Sequence, residues 1–287
     1  MQLLFQVLLN GVLQGGLFAL MALGLSLVWG VLNIVNLAHG AFIMLGGYVV
    51  WALYTHTGMD PFVLLPVAAL VLFVIGYVIQ RGILNLVIRG PMFNTLLITF
   101  GLDVVLTYLA QIIFSADFRT INPPYAGRNM AFAGITLPLV NLAAFVIAIA
   151  LTLGIWLLLL HTRVGRRIRA TAQNLVAARL YGVEPRNLYA LTFAIGAALA
   201  GVAGGLYGMV SQLNPYIGAT LTAKCFAIAI IGGLESPLGV IVGGLVLGVV
   251  EAFTSLWLGS TFVDVVSFGL LVVVLIVRPT GLLGRTV

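Results

Sequence analysis

Charged residues are scarce in this chain. Asp, Glu, Lys and Arg make up 7% of its 287 residues and 62% are hydrophobic; the mean hydropathy is +1.21. A soluble domain carries about 25% charged residues, so this chain cannot cover itself with a polar surface. That excludes an ordinary cytosolic enzyme, a nucleic-acid module and a disordered protein. Cysteine is nearly absent: the single Cys225 lies in an apolar stretch, which rules out an intrachain disulfide and leaves the redox compartment open. The three histidines, His39, His56 and His161, are too far apart for metal-ligand spacing. Neither a Gly-x-x-x-x-Gly-Lys-Ser/Thr phosphate loop nor a Gly-x-Ser-x-Gly elbow occurs. No catalytic residue, metal site or cofactor of the chain's own is therefore expected, and energy coupling must come from a partner or an ion gradient. No Lys or Arg precedes Arg81. The opening MQLLFQVLLNGVLQGG thus lacks the basic region of a signal peptide and reads as part of a retained span.

Long apolar runs are what the chain has in abundance. The first covers Phe5 to Trp29, and others follow at about 40–55, 62–80, 93–115, 137–160, 188–211, 219–233, 238–257 and 262–278. Backbone in lipid must satisfy its own hydrogen bonds, and no barrel-like alternation is present, so these runs are predicted helices. The fold class expected is all-α: a polytopic membrane helix bundle of about eight to ten transmembrane helices. Residues 1–287 form one membrane domain, with no length left for a separate soluble one.

The net charge of +6 is concentrated in loops. Arg163, Arg166, Arg167, Arg169, Arg179 and Arg186 fall between two spans, opposed only by Glu184; Arg81 and Arg89 fall in another loop, and Arg278 and Arg285 follow the last span. Alternation of spans puts all three segments on one side, which the positive-inside rule makes cytoplasmic. The opposite loops hold Asp60, Asp117, Arg119 and Arg128, which nearly cancel. Counting backwards gives nine spans and an outside amino terminus, although nothing electrostatic anchors the first 80 residues and eight or ten spans stay open.

Two apolar runs are short and follow polar breaks. The first break is Asn33-Ile-Val-Asn36-Leu-Ala-His39-Gly40-Ala41 and the second Asn214-Pro215-Tyr216-Ile217-Gly218-Ala219. Both contain Asn-x-x-x-Gly-Ala, and both run on to a Gly-Gly pair, Gly46-Gly47 and Gly232-Gly233. One break faces in and the other out, as an inverted repeat requires; interrupted segments at corresponding places in two halves point to a transport pathway. The alternative is coincidence in a chain with 34 glycines, most of them close-packing positions such as Gly201, Gly204, Gly205 and Gly208. Asn33, Asn36, His39 and Asn214 are the candidate pathway groups of these breaks.

Asp103, Lys224 and Glu251 lie within spans and Asp264 near a span end. Each costs about 2.5–3.5 kcal/mol at the bilayer centre, so they should face the bundle interior. Lys224 needs a carboxylate partner, with Asp103, Glu251 and Asp264 as candidates. Lys224 and Glu251 are read as pathway groups and Asp103 and Asp264 as structural or gating charges. A structural ion pair that fixes helix register is the competing reading for all four.

The loop 161–187, HTRVGRRIRATAQNLVAARLYGVEPRN, is patterned. Ile168, Thr171, Ala172, Leu175, Ala178, Arg179 and Gly182 recur at helical spacing, so one short helix is predicted, ended by Gly182 and Pro185. It would either dock into a cytoplasmic partner or lie on membrane lipid through its arginines.

Ala177-Ala178-Arg179-Leu180-Tyr181-Gly182 resembles the Ala-Ala-x-x-x-Gly part of the cytoplasmic loop motif of ABC-importer permeases, with Val176 in place of the usual Glu and no later Ile-x-Leu-Pro. The whole chain resembles the LivH-type permease subunits of branched-chain amino acid ABC importers, through residues 30–40, 165–170, 214–218 and 232–239 and the closing Arg278-Pro279-Thr280-Gly281-Leu282-Leu283-Gly284. That resemblance implies a multi-pass protein of the bacterial inner membrane, working by alternating access. It implies a second, LivM-like permease subunit, two cytoplasmic ATPase subunits that carry ATP and Mg²⁺, and a periplasmic amino-acid-binding protein, with no role for nucleic acid. It makes the helix of the 161–187 loop the ATPase-coupling element, with Arg166, Arg167, Arg169, Asn174, Ala177, Ala178 and Gly182 as its residues. From the residues alone, an ion-coupled secondary transporter using Asp103, Glu251 and His39, or a non-transporting scaffold, remains open.

Overall fold

The computed structural model describes residues 1–88, 90–132, 135–234, 236–278 and 280–284. Arg89, Glu235, Pro279 and Arg285, all part of the charge or motif readings above, lie outside the described residues.

Helix α1 (Gln2–Leu32) ends where Asn33 enters the left-handed region at φ 51°, its N–H donating to Trp29 O at 2.9 Å. Residues 33–38 are not helical, and α2 (His39–Thr57) follows. Helix α3 (Pro61–Ile79) starts on Asp60, whose carboxylate accepts the Phe62 N–H at 2.9 Å. It runs on through a π-helical turn at Gln80–Leu84 into α4 (Asn85–Val87). Helix α5 (Met92–Phe114) leads to a two-stranded hairpin, β1 (Asn129–Phe132) and β2 (Ile135–Pro138). Then come α6 (Leu139–His161), α7 (Arg163–Gln173), α8 (Leu175–Leu180) and α9 (Pro185–Val210). Residues 211–216 form a second non-helical stretch before α10 (Ile217–Gly232), and α11 (Pro237–Trp257) and α12 (Val263–Val277) complete the chain.

Seven of these helices are long and apolar enough to cross a membrane. Helices α2 and α10 fall short of that standard, α2 because its 19 residues are less apolar and α10 because it has only 16 residues. Helix directions follow from glycine contacts, since small residues let backbones approach. A Cβ at Gly11 would meet Val249 Cα at 2.8 Å and one at Gly15 would meet Leu245 Cα at 2.7 Å, so α1 and α11 are antiparallel. Gly76 meets Ala197 while Gly201 meets Ala68 and Leu72, so α3 and α9 are antiparallel.

The two ends of the bundle are fixed by hydrogen bonds. At one end Asn85 Nδ2 donates to Arg186 O at 3.1 Å, Arg81 bonds Asn187, and Ser26 Oγ donates to Leu234 O at 2.7 Å. At the other, Gln6 bonds Thr136, Tyr54 Oη donates to Asn122 O at 2.8 Å, and Tyr125 Oη donates to Asp60 Oδ2 at 2.7 Å. Burial, with the bond to Asp60, holds the Tyr125 phenol above its ordinary range. The arginines of 163–186 share the first end with Arg81. The amino terminus lies at the hairpin end.

Helices α1 and α9 form the buried centre, while α5, α6 and α12 are largely exposed along their lengths. The packing has an internal exchange relation. Swapping α1 with α9, α2 with α10, α3 with α11 and α5 with α12 carries the α1–α11 contact onto α9–α3. The same swap carries α2–α3 onto α10–α11 and α2–α5 onto α10–α12, and it leaves α1–α9 and α2–α10 as self-paired contacts. Helix α1 starts at the hairpin end and α9 at the arginine-rich end, so the two halves are inverted.

Two expectations are corrected. The Gly-Gly pairs are not equivalent: Gly46-Gly47 packs in mid-helix on Gly201, Gly204 and Leu213, whereas Gly232-Gly233 ends α10 against Gly239 and Gly284. A glycine pair carries no side-chain pattern that could assign it a register. The single helix predicted over 168–182 is two helices, because Asn174 takes extended geometry (φ −153°) and caps a new one. The hairpin at 129–138 is new; its strands of four residues are too short to show an alternation.

Candidate functional site

The two non-helical stretches lead into helices that meet at the centre of the bundle. Gly40, at the start of α2, lies directly against the Gly218 carbonyl at the start of α10, leaving no room for a Cβ at residue 40. Interrupting a helix inside lipid leaves backbone groups that need partners. Here threonine hydroxyls supply them. Thr222 Oγ1 accepts the Gly40 N–H at 2.8 Å and donates to Leu37 O at 3.1 Å. Thr99 Oγ1, from α5, donates to Val35 O at 2.9 Å and accepts the Leu37 N–H at 3.3 Å. Neither threonine stood out in the sequence, since isolated Thr residues are unremarkable in apolar helices.

His39 is buried, and its Nε2 lies 2.9 Å from Met21 O. That contact requires the proton on Nε2, so the ring is tied to the neighbouring helix as a donor. Asn36 is buried too, and its Oδ1 has no hydrogen-bond partner among the described residues. Asn33 is exposed at the left-handed end of α1. Asn214 folds its Oδ1 onto the Tyr216 N–H at 2.9 Å, a local turn that sets the approach to α10. The second stretch is further pinned by a two-way backbone bridge between Leu213 and Arg119, at 2.8 and 2.9 Å.

The intramembrane charges form a separate cluster. Lys224 Nζ is 2.9 Å from Glu251 Oε1 and 3.3 Å from Asp264 Oδ1. Ser267 Oγ donates to the same Glu251 oxygen at 3.0 Å, and the Lys224 ammonium sits 5.5 Å from the centre of the Phe18 ring. Glu251 is 4% exposed and Asp264 58%. Of the three carboxylates that sequence reasoning offered Lys224, it takes two. Asp103 stands apart on α5, with its Oδ1 buried and unpartnered among the described residues. Ser267 and Phe18 were missed, because only the fold brings α12 and α1 to Lys224.

At the arginine-rich end, Thr162 Oγ1 accepts the Gly165 N–H at 3.0 Å and starts α7. Ile168 and Thr171 face the bundle; Arg163, Arg166 and Arg167 face outward, and Arg169 Nη2 reaches back to Leu160 O at 3.3 Å. Asn174 Oδ1 accepts the Ala177 N–H at 2.9 Å and starts α8. Ala178 is buried against the bundle. Gly182 ends the unit at φ 78°, with the Val183 N–H returning to Ala178 O at 3.1 Å. Val176, Leu180 and Tyr181 are 69, 83 and 90% exposed. Val176 and Leu180 on α8 and Tyr181 just after it thus form an exposed patch of large side chains on one short segment. The sequence reading named the helix but not these three, because helical spacing alone does not say which face the bundle takes.

The chain matches the family model described as the permease component of branched-chain amino acid transport systems over residues 7–275. It is 35% identical to the high-affinity branched-chain amino acid transport system permease protein BraD of Pseudomonas aeruginosa, over 98% of this chain and 95% of that protein. It is 34% identical to the corresponding permease LivH of Salmonella typhimurium, over the same shares. It is 26% identical to the LivM permease of Escherichia coli, covering 94% of this chain and 68% of that one. No solved structure matches the chain.

Proposed function

Because the chain belongs to the family of permease components of branched-chain amino acid transport systems, we propose that it is the LivH-type membrane-spanning subunit of an ATP-driven importer of branched-chain amino acids. It is a multi-pass protein of the bacterial inner membrane, and translocation is its task. ATP and Mg²⁺ are held by two partner subunits on the arginine-rich, cytoplasmic side, and this chain holds no cofactor. A second, LivM-like permease completes the pathway, and a periplasmic binding protein delivers substrate to the hairpin end.

The observation that carries this reading is the inverted pair of interrupted helices joined at Gly40 and Gly218. Such an arrangement offers two related packings of the same halves, the requirement for alternating access. Helix α8, with Val176, Leu180 and Tyr181 exposed, is the coupling element that docks on an ATPase subunit. Arg166, Arg167 and Arg169 on α7 flank that contact, and Asn174, Ala177, Ala178 and Gly182 shape α8 itself. Closure of the ATPase dimer moves the unit, and the bundle follows only if nucleotide and loaded binding protein favour different packings. Asn36, His39 and Asn214 border the interrupted stretches as pathway groups.

The test is reconstitution. This chain, its partner permease and the two ATPase subunits are placed in liposomes, and L-leucine uptake is measured with and without ATP and binding protein. Uptake that needs both supports the reading. Uptake by this chain alone, driven by a proton or sodium gradient, overturns it.

A further inference from the structure

Polar side chains recur on one face of the first half of α1, in an otherwise apolar helix. Asn10 and Gln14 face Glu251 and Ser255 of α11 across a groove whose walls include Val7, Leu256 and Val263. The groove opens near the hairpin end. Gln6, one turn before Asn10, is locked to β2: its Nε2 donates to Thr136 O at 2.6 Å and its Oε1 accepts the Thr136 N–H at 2.8 Å. The same Nε2 also lies 3.2 Å from Asn10 Oδ1. That contact uses the acceptor of Asn10 and leaves its amide N–H groups without a partner among the described residues. Gln14 likewise makes no side-chain hydrogen bond there.

Glu251 is set up in the complementary sense. Lys224 and Ser267 both bond Oε1, so one oxygen of a buried carboxylate is fixed. The other, Oε2, accepts no hydrogen bond among the described residues, and the residue lines the groove. A negative oxygen, free amide donors and an aliphatic wall thus share one concavity. The molecule that satisfies all three carries an ammonium, a carboxylate and a small apolar side chain.

We propose that this groove between α1 and α11 binds the zwitterionic head of an apolar α-amino acid, its ammonium on Glu251 Oε2 and its carboxylate on the Asn10 and Gln14 amides. Ser255 adds a hydroxyl at the rim, and Val7, Leu256 and Val263 receive the side chain. Lys224 is a positioning residue: its bond to Oε1 fixes which Glu251 oxygen is presented. The inference rests on the importer reading above and gives its substrate a first station on this subunit.

The assay uses the complete importer in lipid nanodiscs without binding protein, carrying Ser255→Cys. Cys225 is buried, so the new thiol is the accessible one on this chain, and its alkylation is followed by mass spectrometry. The probes are L-leucine, 4-methylpentanoate (no ammonium) and isopentylamine (no carboxylate). L-leucine should slow alkylation about tenfold, the scale of one or two charge-assisted hydrogen bonds, while the other two leave it unchanged. Glu251→Gln, or Asn10→Leu with Gln14→Leu, should abolish the protection; the second pair leaves the ion cluster untouched and separates binding from folding. Equal protection by all three probes, or L-leucine protection that survives both sets of substitutions, overturns the site. Loss of the second permease from the Asn10→Leu, Gln14→Leu complex overturns it too, making the groove a subunit interface. Protection by phosphatidylethanolamine discs over phosphatidylcholine discs, without leucine, reassigns it to a lipid headgroup. Uptake by the unmodified complex, run in parallel, distinguishes the two levels. Absent ATP-dependent uptake overturns the importer reading, whereas normal uptake without protection overturns only this groove.

Discussion

Gly24 and Gly196 face each other across the middle of the bundle, each filling the space where the other's side chain would be. A Cβ at Gly24 would stand 2.6 Å from Gly196 O, and one at Gly196 would stand 2.9 Å from Gly24 O. The contact joins α1 to α9, the two helices that exchange under the inverted relation, so it lies where the two halves meet. His39 borders it, its Cε1 2.9 Å from a Cβ at Gly24. At this crossing the two helix backbones are in direct contact.

Gly24→Ala and Gly196→Ala should each destabilise the protein by about 1–3 kcal/mol, the scale of overpacking a tight core. Each clash includes a backbone carbonyl, which cannot rotate away, with His39 Cε1 also close at Gly24 and Val28 Cγ2 at 2.8 Å at Gly196. Gly101→Ala and Gly154→Ala are the controls, since nothing lies within 4 Å of a Cβ at either position. These two should be neutral or stabilising by about 0.5–1 kcal/mol, as alanine favours a helix interior over glycine. Thermal unfolding of the purified chain in detergent would check the contrast.

The ion cluster predicts a non-additive pair. Lys224→Met leaves the Glu251 carboxylate buried without its cation, which should cost about 3–5 kcal/mol. The double variant Lys224→Met, Glu251→Met should be less damaging than the single one, because no charge is left stranded. Asp264→Asn should change stability by less than about 1 kcal/mol, since Asp264 is 58% exposed and Lys224 keeps its bond to Glu251. A double-mutant cycle on unfolding in detergent measures all three.

Much of this architecture is legible in the sequence for a physical reason. Lipid imposes long apolar runs, so helix bounds such as 92–114 and 237–257 fall within a residue or so of those read from hydropathy. The breaks are legible because Asn, Gly and Pro are costly inside a span. What is not legible depends on three-dimensional neighbours. Thr222 bridges two halves 182 positions apart in the chain through Gly40, and no local pattern marks it. The choice of Glu251 and Asp264 over Asp103 requires knowing that α10, α11 and α12 converge. The break at Asn174 escaped because helical spacing continues across it, although an Asn three residues before the Ala177 N–H is a cap signal.

The α8 surface predicts a separable coupling defect. Leu180→Asp and Tyr181→Asp alter side chains that are 83 and 90% exposed, so folding and membrane insertion should be unchanged. Pull-down through tagged ATPase subunits should recover about tenfold less of this chain, the expected scale for losing a central apolar contact. Ala178→Asp should fail differently, by disturbing the seat of α8, because Ala178 is buried against the bundle. Gly182→Asp forces a residue with a Cβ to adopt φ 78° and should loosen the end of the same unit. Recovery of both the Leu180→Asp and the Tyr181→Asp chain at wild-type levels would remove α8 as the docking element.

Thr222 tests whether the meeting of the two interrupted helices matters to transport. Its hydroxyl takes the Gly40 N–H at 2.8 Å and gives its proton to Leu37 O at 3.1 Å, so one group satisfies both sides of the first break. Thr222→Val keeps the shape and removes both bonds, leaving a buried N–H and a partly buried carbonyl unpaired at a cost of about 1–3 kcal/mol for a fully buried group. Thr222→Ser keeps the hydroxyl and loses only a methyl. The expected outcome is an ordered series in reconstituted uptake, with the serine variant close to wild type and the valine variant reduced about tenfold or more, matching a loss of at least 1.4 kcal/mol. Nucleotide hydrolysis by the partner subunits should persist in the valine variant, because α8 is untouched. If valine and serine transport equally well, the bridge through Thr222 has no part in the moving centre.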